Sequence, residues 1–412
     1  MEDFKMEKLP EGWKRVRLGE VIEEVNERVG TFKLEPVAIG IYGIRKRSEI
    51  YYKELSKSYS NNKIFKYGYV AFGLGTDTMA IGVNFLNEDF CVSPAYKVFK
   101  IKNEDILFFH YFVNFIKILF GDKFLIVSAR QGKSIDFKWF LNEKILLPPL
   151  PEQRKIAEIL ETVDNAIEKT DKIIEKYKRI KQGLMEELLT KGIDENGKIR
   201  DEKTHKFKNS PLGKIPEEWE VVRLGEENIV ELIMGQSPPS PTYNKEGKGL
   251  PFLQGNADFG KIYPMPKTFT THPIKIAIKN DILISVRAPV GSLNLAQFKC
   301  CIGRGLAAIR PNFSQLNYLF VFFYLNYSIN KLLLLAKGST FDAIKKEDIQ
   351  SIQIPLLSLP EQQRIADILS QIDEVIEKEI AYKEKLQRLK AGLMEDLLTG
   401  KVRVNKLLSE LK

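Results

Sequence analysis

The chain has 412 residues, 44% of them hydrophobic and 10% aromatic, which excludes a disordered or fibrous protein and predicts two or three units with cores of their own. Its formal net charge is +9, and the basic excess lies in residues 1–150, 191–214 and 215–359, the distribution expected if those segments meet a polyanion. Cys91, Cys300 and Cys301 form no CxxC pair, and the charged start MEDFKMEKLP has no apolar signal core, so a soluble protein of the reducing cytoplasm is expected.

In chain order, LPEGWKRVRLGE at Leu9 opens a first globe, residues 1–150, which mixes short β-like runs such as Tyr69–Phe72 with one aromatic helix around Tyr111, Phe112 and Phe115. Residues 151–190 read as one long helix: Pro151 suits its first turn, Gly192 its exit, and Ile156, Leu160, Val163, Ile167, Ile174, Tyr177, Leu184 and Leu188 form one apolar seam. A connector, 191–214, leads to IPEEWEVVRLGE at Ile215, which opens a second globe, 215–359, with a β-like run at 281–286 and an apolar helix at 318–336. Asn326, Ser328, Asn330 and Lys331 interrupt that apolar run, so it reads as a buried helix rather than a membrane span. Residues 360–412 begin with a second long helix, entered at Pro360 and left at Gly400, whose seam is Ile365, Leu369, Ile372, Ile376, Leu386, Leu389, Leu393 and Leu397.

The chain is written twice. Residues 151–190 and 360–399 align without a gap and share 22 of 40 positions, and the two Trp-containing openers recur at nearly the same interval. A helix of that length runs about 60 Å, beyond the edge of any globe, so its seam needs a partner. Two near-identical seams meet best about a two-fold axis, antiparallel, and the short connector agrees. Each helix folding back onto its own globe is the alternative. The predicted fold class is α+β: two globes joined by two long antiparallel helices, with an internal pseudo-two-fold repeat.

Motifs for chemistry are absent. Gln131-Gly132-Lys133-Ser134 resembles the end of a phosphate loop, but Val127 stands where its first glycine belongs, and Gly73-Leu74-Gly75 and Gly303-Arg304-Gly305 lack the third glycine of a dinucleotide loop. His110, His205 and His272 stand far apart with no Cys/His cluster, so neither a metal nor a catalytic site is expected.

The two Pro-x-x-Trp openers, the two variable globes and the two PEQ helices ending in GLMEELLT and GLMEDLLT resemble the specificity subunits of Type I restriction-modification enzymes. The stretch 280–296, NDILISVRAPVGSLNLA, also resembles one common in their target-recognition domains. The resemblance implies that each globe reads half of a split, asymmetric DNA site while the helices set the gap. It implies two methyltransferase (modification) subunits and motor-nuclease (restriction) subunits as partners. S-adenosylmethionine, ATP and Mg would belong to those partners, with no cofactor in this chain. An interaction scaffold with two protein-binding globes is the rival reading.

Base edges are read by paired hydrogen bonds from loops, whereas Lys and Arg at phosphates add affinity. The candidates in the first globe are Arg45, Lys46 and Arg47, then Thr76, Asp77 and Thr78, then Arg130, Gln131, Lys133 and Ser134. In the second they are Gln236, Ser237, Gln254, Asn256, Arg287, Arg304, Lys337, Ser339 and Thr340. Each competes with a plain reading as a turn or a solvated charge. Trp13 and Trp219 read as core anchors.

Overall fold

The computed structural model describes residues 9–40, 43–50, 56, 58–73, 80–120, 123–128, 132–337 and 343–409, with the backbone alone at 127–128, 132–134, 330–337, 406 and 409. The chain divides into two compact units, residues 1–171 with 381–412 and residues 172–380. Each unit therefore holds one globe, the first half of one long helix and the second half of the other.

In the first unit, the strands Ile22–Val25, Lys97–Ile101, Tyr69–Phe72 and Ile81–Val83 form an antiparallel sheet in that order. A second sheet orders Gly43–Lys46, Glu35–Gly40, Phe90–Val92 and Lys63–Phe65, and its Glu35–Gly40/Phe90–Val92 pair is parallel. The opener strand Lys14–Arg17 pairs antiparallel with Lys144–Leu147, the strand that leads into the first long helix. The aromatic helix Ile106–Phe120 starts where Asp105 caps the Phe108 amide at 2.9 Å. It buries Phe108, Phe109, Tyr111, Phe112 and Phe115 in a core shared with Ile156 and Leu160 of the long helix.

The second unit repeats this plan where the sequences differ. Val230–Met234, Leu306–Pro311, Ile282–Ser285 and Leu293–Leu295 form the antiparallel sheet. A five-stranded sheet contains the parallel pair Leu250–Leu253/Cys300–Ile302. The opener strand Glu220–Arg223 pairs with Gln353–Leu356. Asn317 caps the helix Tyr318–Lys337, whose Phe320, Val321, Phe322 and Phe323 are buried, so the described part of this segment is core.

The long helices run Leu150–Thr190 and Leu359–Thr399, with the prolines in their first turns and left-handed exits at Gly192 (φ +66) and Gly400 (φ +77). Their pairing is antiparallel within each unit. In the first unit Glu152 meets Arg403, Asp164 meets Lys390 and Asp171 meets Lys383, at 2.6–2.7 Å. In the second, Lys181 meets Asp373 at 2.7 Å, and Glu361 accepts from the Ile193 amide at 3.0 Å. The seam is not wholly apolar. Asp164–Lys390 and Asp373–Lys181 are the same pair in the two copies, and each lysine lies over a ring of the aromatic helix, Tyr111 at 5.3 Å and Phe323 at 5.4 Å. Leu389, expected on the seam, is instead 52% exposed, because the inward position one residue on is taken by Lys390.

The PEQ motif joins globe to helix in both units. Gln153 accepts from the Asp105 amide and donates to the Pro148 carbonyl, both at 2.9 Å; Gln362 does the same with Asn317 and Leu357 at 2.8 Å. Glu152 binds the indole N–H of buried Trp13 at 3.0 Å and the guanidinium of Arg403. Glu361 instead holds Arg200 of the connector, while the indole N–H of buried Trp219 has no partner among the described residues.

Two measurements check this account. Glu361→Ala leaves the buried Arg200 guanidinium without its main partner and should destabilise the second unit by about 3 kcal/mol in chemical denaturation, whereas Lys178→Ala, at an exposed pair, should cost under about 1 kcal/mol. Burial, helped by the Lys390 cation, lowers the His110 imidazole to about 4, against an opposing pull from Asp164. A depressed folded value means the unfolded chain takes up the proton first, so this contribution is complete above the ordinary histidine range and is lost as pH falls toward 4. The first unit should lose about 2 kcal/mol between pH 7 and pH 5 through this group, and His110→Phe should remove that part of the pH dependence.

Candidate nucleic-acid interface

Four polar segments converge at one end of the second globe because glycines let their backbones touch. Gly235 donates to the Leu306 carbonyl at 2.9 Å, and a Cβ on it would overlap the Gly303 carbonyl. Gln236 donates to the Ile302 carbonyl at 2.9 Å, and the Arg304 amide donates to Ser237 Oγ at 3.3 Å. Gly303 donates to the Leu253 carbonyl at 2.8 Å, and a Cβ on Gly305 would stand 2.6 Å from the Gln254 carbonyl. Val286 donates to the Gly305 carbonyl at 2.9 Å, so the turn carrying Arg287 lies beside the turn carrying Arg304.

Buried and half-buried polar groups brace these turns. Ser285 donates through Oγ to the Pro289 carbonyl at 2.7 Å and accepts from the Ser292 amide at 2.9 Å. The Asn256 side-chain Nδ2 donates to Ser292 Oγ at 3.3 Å, and Asp258 accepts from the Gln254 backbone amide at 2.7 Å. The outcome is a rigid frame with exposed tips at Gln236, Gln254, Arg287 and Arg304. Such fixed turns suit base edges and phosphates, since little backbone freedom is lost on binding.

All six candidates from the first part of the second globe, Gln236, Ser237, Gln254, Asn256, Arg287 and Arg304, are therefore brought together. Lys337 ends its helix with a side chain outside the described atoms, and Ser339 and Thr340 lie outside the described residues. In the first globe, Arg45 and Lys46 lie on the edge strand Gly43–Lys46 and Arg47 starts the next helical turn. Lys46 is paired with Glu88 at 3.3 Å. Thr76, Asp77, Thr78, Arg130 and Gln131 lie outside the described residues, and Lys133 and Ser134 have only their backbone in the strand Gly132–Ile135. In sequence, Thr76–Thr78 and the turn of Arg287 nevertheless follow equivalent strands, Tyr69–Phe72 and Ile282–Ser285.

Sequence reasoning passed over the bracing groups Ser285, Ser292 and Asp258; the glycines at 235, 303 and 305 were the available signal. Burial and the nearby Asp281 push the Cys300 thiol up to about 12, which keeps it protonated and inert. Among the described residues no group of three or more His, Cys, Asp or Glu stands together to hold a metal ion, and no helix is long and apolar enough to cross a membrane.

Residues 10–178 and 216–388 match the family model of the Type I restriction modification DNA specificity domain. The chain is 30% identical to the type I restriction enzyme MjaVIII specificity subunit of Methanocaldococcus jannaschii, across 97% of this chain and 95% of that relative. It is 49% identical to the putative type I restriction enzyme MjaX specificity subunit of the same organism, over 68% of this chain and 64% of that relative, a match spanning just under two thirds of the latter. A solved chain from work on complex assembly and conformational transition of the type I R-M system is similar with a TM-score of 0.60 and 30% identity, covering 96% of this chain and 100% of that one. The chain belongs to the Type I restriction-modification DNA specificity family and carries its specificity domain twice.

Replacing Gly305 by Ala should push the Gln254 carbonyl away and open the frame. We expect faster hydrogen exchange at the Gln254 and Gly303 amides and a stability loss of about 1–3 kcal/mol, with the helix amides of 359–380 unaffected.

Proposed function

We propose that this chain is the non-catalytic reading subunit of a cytoplasmic restriction-modification complex, in which each globe binds one half of a split duplex site and the paired helices set the gap. The observation that carries the reading is the duplicated ion pair: Asp164–Lys390 and Asp373–Lys181 give two unlike globes the same antiparallel mounting on one helix pair. Unlike loops on like mountings predict an asymmetric site.

The catalytic steps belong to partners in this reading. Two methyltransferase subunits supply S-adenosylmethionine chemistry, and motor-nuclease subunits supply ATP- and Mg-dependent cleavage. This chain contributes position. In the first globe the DNA-facing set would be Arg45, Lys46, Arg47, Thr76, Asp77, Thr78, Arg130, Gln131, Lys133 and Ser134; in the second, the frame above together with Lys337, Ser339 and Thr340.

The test is to co-express the chain with the methyltransferase subunit of its own locus and map methylated bases in host DNA. A two-part motif with a fixed gap, dependent on this chain, is expected; a methylation pattern indifferent to the chain would sink the reading. Seven residues inserted in both helices at the same level preserve the seam and add about 10 Å, or roughly three base pairs. The motif should keep both halves and widen its gap by that amount, and an unchanged gap would refute the spacer role.

A further inference from the structure

Arg287 and Arg304 stand one residue beyond either end of a single backbone hydrogen bond, Val286 N–H to the Gly305 carbonyl at 2.9 Å. Both side chains are exposed, and among the described residues neither guanidinium has an ion pair or a hydrogen bond. Arg310, five residues after Gly305 on the strand Leu306–Pro311, is by contrast fully engaged by Asp281 and Glu231. The frame's own carboxylate, Asp258, is spent on the Gln254 and Gly255 amides.

Both backbones are held in place. Arg287 forms an antiparallel bridge with Ala343, and Ile344 donates to the Val286 carbonyl at 2.9 Å. Arg304 is enclosed by Gly303 and Gly305, which press on the 254–255 backbone, and its amide is tied to Ser237. Two like charges fixed within a side-chain length of each other cost stability unless an anion sits between them. A guanine edge offers two acceptors, which one arginine fills. A phosphate offers several oxygens and a full charge, and can take a fork from each side.

We propose that Arg287 and Arg304 form a two-arginine clamp on one backbone phosphate of the half-site read by the second globe, leaving base identity to the amide tips such as Gln254. The inference rests on the DNA-reading function proposed above. In the first globe Ala95 occupies the place equivalent to Arg304, two residues before the strand Lys97–Ile101 as Arg304 is before Leu306–Pro311, so this clamp belongs to one half-site only. The clamp orients the duplex, and the amides then meet base edges.

The experiment uses the full chain with its methyltransferase subunit, a randomised duplex library to obtain the preferred motif, and binding of the selected duplex over a range of salt. Arg287→Ala and Arg304→Ala should each weaken binding roughly tenfold without changing the motif. Because counterion release counts phosphates rather than arginines, the double variant should lower the magnitude of the log affinity against log salt slope by about 0.9, not twice that. Its loss should fall short of the product of the single losses, since both side chains serve one group. Gln254→Ala should relax the motif at one position with the slope unchanged. A motif shift in either arginine variant, additive losses with a slope change near 1.8, or unchanged binding would each overturn the clamp. If the unaltered complex selects no motif, the failure belongs to the DNA-reading function itself. Circular dichroism of the arginine variants, whose substitutions are at exposed positions, confirms that losses are not unfolding.

Discussion

The buried carboxamides of Gln153 and Gln362 are the contacts on which the rest of the structure depends. Each bridges the first turn of a long helix and the first turn of an aromatic helix. A buried amide must satisfy both its donor and its acceptor, and here the partners include backbone groups whose positions are set by two different elements. The angle between globe and helix is thereby determined by hydrogen-bond geometry, which apolar packing alone would leave looser.

The helix pair uses charge in the same way. An apolar seam tolerates sliding by a turn, because one leucine is much like another. An aspartate facing a lysine does not, since a slip would bury each charge without its partner. Asp164–Lys390 and Asp373–Lys181 therefore select register as well as direction. Their net contribution to stability is modest at this degree of exposure; their value lies in excluding alternatives.

In the braced turns of the second globe, glycine has the role that the glutamines have at the mounting. Removing side chains at 235, 303 and 305 lets four strand ends approach closely enough for backbone bonds. The longer polar residues between those glycines are then pushed outward on short, braced turns. Arg287 and Arg304 are consequently presented by a frame rather than by a free loop.

Periodicity and repetition were enough to find the long helices, their seams, the duplicated plan and the buried tryptophans, because those features depend on spacing within one stretch of chain. The polar identities inside the seam, at 164 and 373 and at 181 and 390, were present in both copies but have no place in an apolar periodicity, and Leu389 was placed on the seam in place of Lys390. What tertiary structure alone decided was which loops meet. The parallel pairs Glu35–Gly40/Phe90–Val92 and Leu250–Leu253/Cys300–Ile302 join strands about fifty residues apart, and no local pattern encodes such a partner. The gathering of Gln236, Gln254, Arg287 and Arg304 follows from those long-range pairings, since sheet register, unlike helical period, is settled only when the partner strand is in place.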